Sequence, residues 1–267
     1  MTRLVEEDVR GLMEQLASFE EALRRVAGLG LADAGRRAWD ESGERPVLAG
    51  VPMAVVPISQ GEGFIPGFCE CVAAILCFLG CDAFVTSFPD VRGLQEAADC
   101  GAHVVFLADD FRFIALNLRS GGCADDDPCT ARAYVAALEA AAGGLVGRTV
   151  TVLGYGPVGR HAAARVRERG GRALVVEPNE ARAAEAVAAG LDVAPLQAAL
   201  AGAHLLFDAT PTADVVDVSW VTPQSIAAVP GMPSALTAAA QEELGERHIH
   251  EPLALGVAAM AVDALRR

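Results

Sequence analysis

The chain of 267 residues contains no lysine, and all 21 of its basic residues are arginine. Without lysine the protein can form no Schiff base and has no lysine general base. Heavy Ala, Arg and Gly usage points to a G+C-rich genome as the plain origin, but the chemical exclusion holds whatever the origin. Positive charge is scarce as well: the net charge is −14 and the pI is about 4.7. That balance excludes a nucleic-acid or anionic-membrane surface. It suits a cationic small-molecule substrate, although an acidic surface ordinarily serves solubility alone. No apolar run approaches membrane-spanning length, and the first eight residues, MTRLVEED, carry no apolar signal core. The protein is therefore expected in the cytoplasm, with its seven cysteines reduced. Cys69, Cys71, Cys77, Cys81 and Cys100 share their segment with no histidine, and a spacing of two splays Cys69 from Cys71 on a helix. We read them as small core residues and expect no metal. At 52% hydrophobic residues the chain can build a real core, and its length suits one large or two small domains.

What is there is concentrated in residues 149 to 177. The apolar run Thr-Val-Thr-Val-Leu leads into Gly154-Tyr155-Gly156-Pro157-Val158-Gly159, then an Arg/Ala-rich stretch, then Leu174-Val175-Val176-Glu177. Strand, G-x-G-x-x-G turn, helix, second strand and terminal acid follow in the order of a dinucleotide-binding βαβ unit. Gly154 permits the tight turn, Gly156 lets backbone approach a pyrophosphate, and Gly159 lets the helix lie close to the strand. The unpaired N–H groups of the helix start face the phosphates. Glu177, followed by Pro178, suits the two ribose hydroxyls and would repel a 2′-phosphate, so the expected cofactor is NAD. Thr210-Pro211, after the apolar run 204 to 209, is expected to face the nicotinamide ribose. A glycine turn can follow any strand; here the whole context is present.

Ahead of this unit, residues 5 to 27 carry Val5, Val9, Leu12, Leu16, Phe19, Leu23 and Val26 near a 3.6 period, which predicts one amphipathic helix. Strands are predicted within 47 to 58, 82 to 87 and 103 to 108, with helices over 66 to 79 and 91 to 100 between them. A further apolar strand or edge covers 113 to 118. This is a half-Rossmann arrangement without a glycine fingerprint. Residues 119 to 129 read as a linker, with Asp127 capping a helix that has Pro128 at its first position. That helix, to residue 142, is long enough to bridge two domains. The expected fold class is α/β with two domains: 1–128, a substrate-binding half with an N-terminal lid helix, and 129–267, a Rossmann half with bridging and C-terminal helices. The apolar tail 252 to 265 packs between the domains or serves a homodimer.

Ligands of such sheets gather at the carboxyl ends of strands. Ser59 and the pair Asp109-Asp110 stand at such ends; the bland alternative is that they cap helices or sit in solvated turns. His248, His250 and Glu251 lack enough neighbouring ligands for a metal and read as a solvated loop or the edge of a cleft.

Several dehydrogenases share this order of halves, and the glutamate-type, shikimate and methylenetetrahydrofolate ones use a catalytic lysine that this chain lacks. Val56-Pro57-Ile58-Ser59 with Gly61-Glu62-Gly63, the run from Leu107 through Ala108-Asp109-Asp110 to Ala115 with Asn117, the glycine turn, and Ile249-His250-Glu251-Pro252-Leu253-Ala254-Leu255-Gly256-Val257-Ala258 together resemble the PylD family over almost the whole chain. The resemblance implies NAD-dependent oxidation of the side-chain primary amine of lysine-Nε-3-methylornithine, the isopeptide that is closed to pyrrolysine. It implies that Asp109 helps position the reacting amine, with Ser59, the Ala108 backbone and Asn117 nearby, and that Leu4 closes over the substrate. It lays the cofactor on Gly154, Tyr155, Gly156, Pro157, Val158 and Gly159, with Glu177 at the ribose. The family carries a small aliphatic residue where Tyr155 stands, so Tyr155 is expected to alter the phosphate turn or the cleft. Another NAD-dependent amino-acid or hydroxy-acid dehydrogenase, or an NAD-binding sensor without chemistry, stays open at this point.

Overall fold

The computed structural model describes residues 6–9, 11–39, 46–61 and 65–267. The first half runs α1 (Glu6–Val9), α2 (Leu12–Ala27), α3 (Leu31–Arg37), β1 (Pro52–Val56), α4 (Phe68–Phe78), β2 (Asp82–Val85), α5 (Asp90–Asp99), β3 (Val104–Ala108), β4 (Phe113–Asn117) and β5 (Cys123–Asp125). The helix α6 (Asp126–Ala141) follows. The second half runs β6 (Thr149–Leu153), α7 (Pro157–Glu168), β7 (Arg172–Val176), α8 (Glu180–Ala188), β8 (Asp192–Val193), α9 (Leu196–Leu200), β9 (Leu205–Asp208), β10 (Ile226–Ala228), α10 (Ala238–Leu244), β11 (His248–Ile249) and α11 (Ala254–Arg266).

The strands form two sheets, ordered β2-β1-β3-β4-β5 and β11-β10-β9-β6-β7-β8. The second sheet is parallel throughout; in the first, β2, β1 and β3 are parallel and β4 and β5 antiparallel. Continuous apolar runs such as Val104 to Phe106 are buried on both faces, as strands covered by helices on either side must be. One hydrophobic core spans both halves, because α6 and α11 pass between them. Every residue of α11 from Ala254 to Ala264 is buried, against α3, α4, α6, β4 and β5. The apolar tail is therefore spent inside the chain and offers no face to a second copy.

The structure corrects four expectations. Gly11, at φ 79°, separates α1 from α2 where the apolar period predicts one helix. The linker contains β5, whose pairing with β4 makes it the edge of the sheet. The helix after it begins at Asp126, because the Asp125 side chain, not Asp127, accepts the capping bond, from Asp127 N–H at 3.0 Å. Cys71 and Cys81 are core residues, but Cys77 and Cys100 are exposed, near the C-terminal ends of α4 and α5. Among the described residues no helix is long and apolar enough to cross a membrane.

Candidate active site

The cofactor side is built on the turn between β6 and α7. Gly154 has φ 85°, and a Cβ there would lie 2.8 Å from the Ala209 carbonyl oxygen. A Cβ on Gly159 would fall 2.0 Å from the carbonyl oxygen of Gly154. Neither position can carry a side chain without moving backbone. A Cβ on Gly156 would meet nothing within 4 Å, which is the open ground a pyrophosphate needs. Glu177, half-buried at the end of β7, accepts from Tyr155 N–H at 2.7 Å and Asn179 N–H at 2.8 Å. It thus holds the turn in shape, and each oxygen keeps a second lone pair for a ribose hydroxyl. Beside it is a cavity of about 490 Å³ lined by Gly154, Glu177, Pro178, Leu196, Thr210 and Val215 among others. A glycine cradle, a helix start and a carboxylate beside an apolar slot fit NAD.

Of the other residues expected at the cofactor, Pro157 and Val158 lie in the first turn of α7, Val158 packed against the core. Pro211 is exposed and does not line the cavity. The Tyr155 ring is buried in the core, with the Arg160 guanidinium 6.0 Å from its centroid. Tyr155 offers the turn its backbone N–H, while its side chain packs in the interior and lines neither cavity.

Asp208 ends β9, fully buried. Its two oxygens take Thr210 N–H at 3.0 Å and Ala235 N–H at 2.7 Å, while its carbonyl takes Gly231 N–H at 3.0 Å. One side chain thus fixes both loops at this end of the sheet. Burial pushes its carboxyl up to about 7. An acid directly after the apolar run Leu-Leu-Phe is the sequence signal for it.

A second cavity, of about 460 Å³, lies at the carboxyl ends of β1, β2 and β3. Ile58, Phe68, Glu70, Asp109, Phe111 and Arg112 are among its walls. Ala108, the last residue of β3, lines it too. Asp109 is exposed and closes the β3–β4 turn: its N–H donates to the Arg112 carbonyl at 2.9 Å, and its Oδ1 accepts from the N–H groups of Phe111 and Arg112 at 2.8 and 2.7 Å. Arg112 in turn pairs with Asp125 at 3.0 Å. Ser59 stands on the same edge but does not line the cavity; its N–H and hydroxyl donate to the Asp90 carboxylate at 2.8 and 2.5 Å. Those bonds hold the Asp90 carboxyl below its usual range. The Asp110 carboxylate lies against Gly61. Leu4, Glu62 and Gly63 lie outside the described residues.

Asn117 is not part of this constellation. β4 runs antiparallel to β3 and pairs Asn117 with Val104, so it lies at the opposite end of the sheet from Asp109. Its side chain donates to the Ala264 carbonyl at 2.9 Å and accepts from Arg119 and Ser120 N–H, stitching a turn to α11. Sequence reasoning does not single out Glu70, although it is the one charged residue in the apolar helix FCECVAAILCF. Glu251, expected in a solvated loop or at a cleft edge, is buried, its carboxyl pushed up to about 7 by that burial. Its main chain brackets the Tyr134 hydroxyl, which donates to its carbonyl and accepts from its N–H. Among the described residues no group of three or more His, Cys, Asp or Glu is set to hold a metal.

Residues 130–229 match the S-adenosyl-L-homocysteine hydrolase NAD binding domain, and residues 7–124 match the N-terminal domain of the pyrrolysine biosynthesis protein PylD. The shikimate 5-dehydrogenase of Thermus thermophilus, solved with NADP(H) and shikimate, shares the fold: TM-score 0.52, 18% identity, 79% of this chain and 91% of that one. Fold and turn together define an NAD-dependent oxidoreductase of two α/β halves. The chain is 33% identical to the pyrrolysine synthase of Methanosarcina acetivorans over 99% of its own length and 100% of that protein's. To the pyrrolysine synthase of Methanosarcina barkeri it is 29% identical, over 99% and 98%. The chain belongs to the PylD family.

Proposed function

We propose that this protein oxidises the side-chain primary amine of lysine-Nε-3-methylornithine with NAD, and that loss of ammonia with ring closure then gives pyrrolysine. The observation that carries the reading is the match to a pyrrolysine synthase at 33% identity over 99% of the chain. The absence of lysine is consistent with it: the lysine-dependent chemistry of similarly built dehydrogenases is excluded, and the amine of the substrate itself supplies the lone pair. The two halves divide the work, residues 1–128 holding the isopeptide and residues 129–267 the cofactor.

Bound NAD supplies the hydride acceptor. The chain binds and orients. Gly154, Gly156 and the start of α7 receive the pyrophosphate, and Glu177 the adenosine ribose. Thr210, fixed by Asp208, lies at the nicotinamide ribose. Asp109 helps hold the reacting amine beside the Ala108 backbone, and the carboxylates of Glu70 and Asp109 favour an ammonium-bearing ligand. Oxidation requires that amine to be neutral, since the C=N bond forms from its lone pair. The substrate's second amine then attacks the iminium carbon. The original nitrogen leaves as ammonia, carrying the proton given up by the attacking one.

The test is direct. Purified protein with NAD and the isopeptide is expected to yield NADH and a pyrroline in equal amounts. Turnover of some other amino or hydroxy acid, with none of the isopeptide, would replace the substrate in this reading. Tight NAD binding with no turnover of any amine would remove the chemistry.

A further inference from the structure

We propose that Glu251 takes the proton from the substrate's reacting ammonium. The inference rests on the amine-oxidation reading above and goes beyond it by naming the proton acceptor.

The topology brings Glu251 to the right place. β11 is parallel to β10, so the chain leaves Ile249 at the carboxyl edge of the second sheet, the edge that carries Gly154 and Asp208. α4 follows β1, so its first turn lies at the carboxyl edge of the first sheet, and Glu70 in that turn lines the substrate cavity. α4 packs against α11, whose start the Glu251 carboxylate caps, and Cys71, the residue after Glu70, feels its charge, so the two edges meet near this carboxylate. The bridging helix α6 holds it there through the Tyr134 hydroxyl.

The carboxylate is only half used. Oε2 accepts from Leu253 N–H at 3.0 Å and from Ala254 N–H, and so caps the start of α11. Oε1 is buried and has no hydrogen-bond partner. Buried polar atoms are nearly always paired, because leaving one bare costs free energy. An ammonium would satisfy it. Burial also holds this carboxyl near neutrality, where one group can both take up and return a proton. Tyr134 on α6 and Cys71 on α4 feel its charge; Tyr134 also feels Asp126, and Cys71 also feels Glu70. Asp109 offers the opposite setting, exposed to water with one oxygen spent on its own turn.

The step balances. An N–H bond of the ammonium breaks, its electron pair stays on nitrogen as the lone pair, and the proton passes to Oε1. A cation and an anion become a neutral amine and a neutral carboxyl. The lone pair is then free for the oxidation of the adjacent carbon.

The experiment compares the full-length protein with Glu251→Gln. Calorimetry of isopeptide binding in buffers of different ionisation heat reads protons released. In the wild type, amine and carboxyl share one proton after binding, so about half a proton is released near pH 7. The Gln variant is expected to bind NAD normally, release no proton, and turn over at least roughly 100-fold more slowly. A folded Gln variant with unchanged proton release, or with turnover within a few-fold of wild type, overturns the proposal and leaves the proposed function standing. A wild type that makes no NADH from the isopeptide overturns the function, and this proposal with it. Should Glu251→Gln fail to fold, Glu251→Asp decides: a shifted acid limb of kcat/KM supports the proposal, and an unmoved limb refutes it.

Discussion

Asp109 on the first sheet, and Asp208 and Glu251 on the second, live in different media. Asp109 on the first sheet is exposed, and its carboxylate braces its own turn. Asp208 and Glu251 on the second are buried, and each is pushed up to about 7. The surroundings of Asp109 are therefore wet, and those of Asp208 and Glu251 dry. A wet acidic edge attracts an ammonium from water at little cost to the fold. A dry edge gives each carboxyl a structural partner and makes its proton count depend on surroundings.

The sharpest way to break the comparison is to truncate one acid on each edge. Asp208→Ala leaves the N–H groups of Thr210 and Ala235 without their partner in a buried site. We expect a loss of roughly 2–4 kcal/mol in chemical denaturation, with weaker NAD binding as both loops loosen. Asp109→Ala frees two N–H groups into water, so the melting temperature should stay near wild type. Turnover should instead fall far more than NAD affinity. Greater destabilisation from Asp109→Ala than from Asp208→Ala would refute the contrast.

Asn117→Ala is the next largest. Resemblance assigns Asn117 to the active site, while its three hydrogen bonds tie a turn to α11 at the far end of the sheet. Losing them from a buried position should cost about 2 kcal/mol. The kcat of the folded enzyme should not change. A fall in kcat without loss of stability would return Asn117 to the site.

What sequence can and cannot reveal follows the same line. The glycine turn is legible because Gly154 and Gly159 are forced by backbone contacts, and a forced residue leaves a fixed pattern. Strand ends are legible because apolar runs stop there, which puts Asp109 and Ser59 on the correct edge. The use of each acid is not. Asp109 and Asp208 both follow an apolar strand, and only the third dimension shows that Ala235, 27 residues on from Asp208, reaches its carboxylate. Glu251 sits in a His-rich segment that reads as solvated; its burial comes from α6, more than a hundred residues earlier. The break at Gly11 and the extra strand β5 escape a sequence reading for a related reason. The helical period carries across Gly11, and three residues of linker form a strand only because β4 is there to pair with.

A smaller effect sharpens the comparison through pH. Asp126, Asp208 and Glu251 each have a carboxyl raised by burial to about 7. A raised acid binds its proton more tightly when folded. Stability is therefore greatest below the unfolded carboxylate range near pH 4, declines as pH rises through the window to about 7, and levels off above it. Each group contributes at most about 1.4 kcal/mol per pH unit. His248, lowered to about 4 by burial, acts in the opposite sense below its unfolded value, as do His103 and His161, which burial also lowers; the three histidines only partly offset the three acids. Denaturation midpoints should fall between about pH 5 and pH 7, and Asp208→Asn should flatten that slope. A midpoint that rises across the window would show Asp208 and Glu251 to be as wet as Asp109.

Ser59→Ala carries the smallest effect. The hydroxyl is exposed and donates to the Asp90 carboxylate, which the Ser59 N–H also reaches. The backbone bond survives the substitution, so the turn after β1 keeps one of its two ties and the melting temperature should hardly move. Two roles then separate cleanly. If Ser59 serves only the turn, kcat and KM both stay near wild type. If its hydroxyl leaves Asp90 for the substrate, KM for the isopeptide rises a few-fold while the KM for NAD is unchanged. The resemblance to the family favours the second outcome, since Ser59 stands on the same edge as Asp109. The wet edge makes the exchange cheap, because water can replace the hydroxyl on Asp90 at almost no cost. A buried serine on the second edge could not change partners so freely, and that difference in mobility is what the measurement tests.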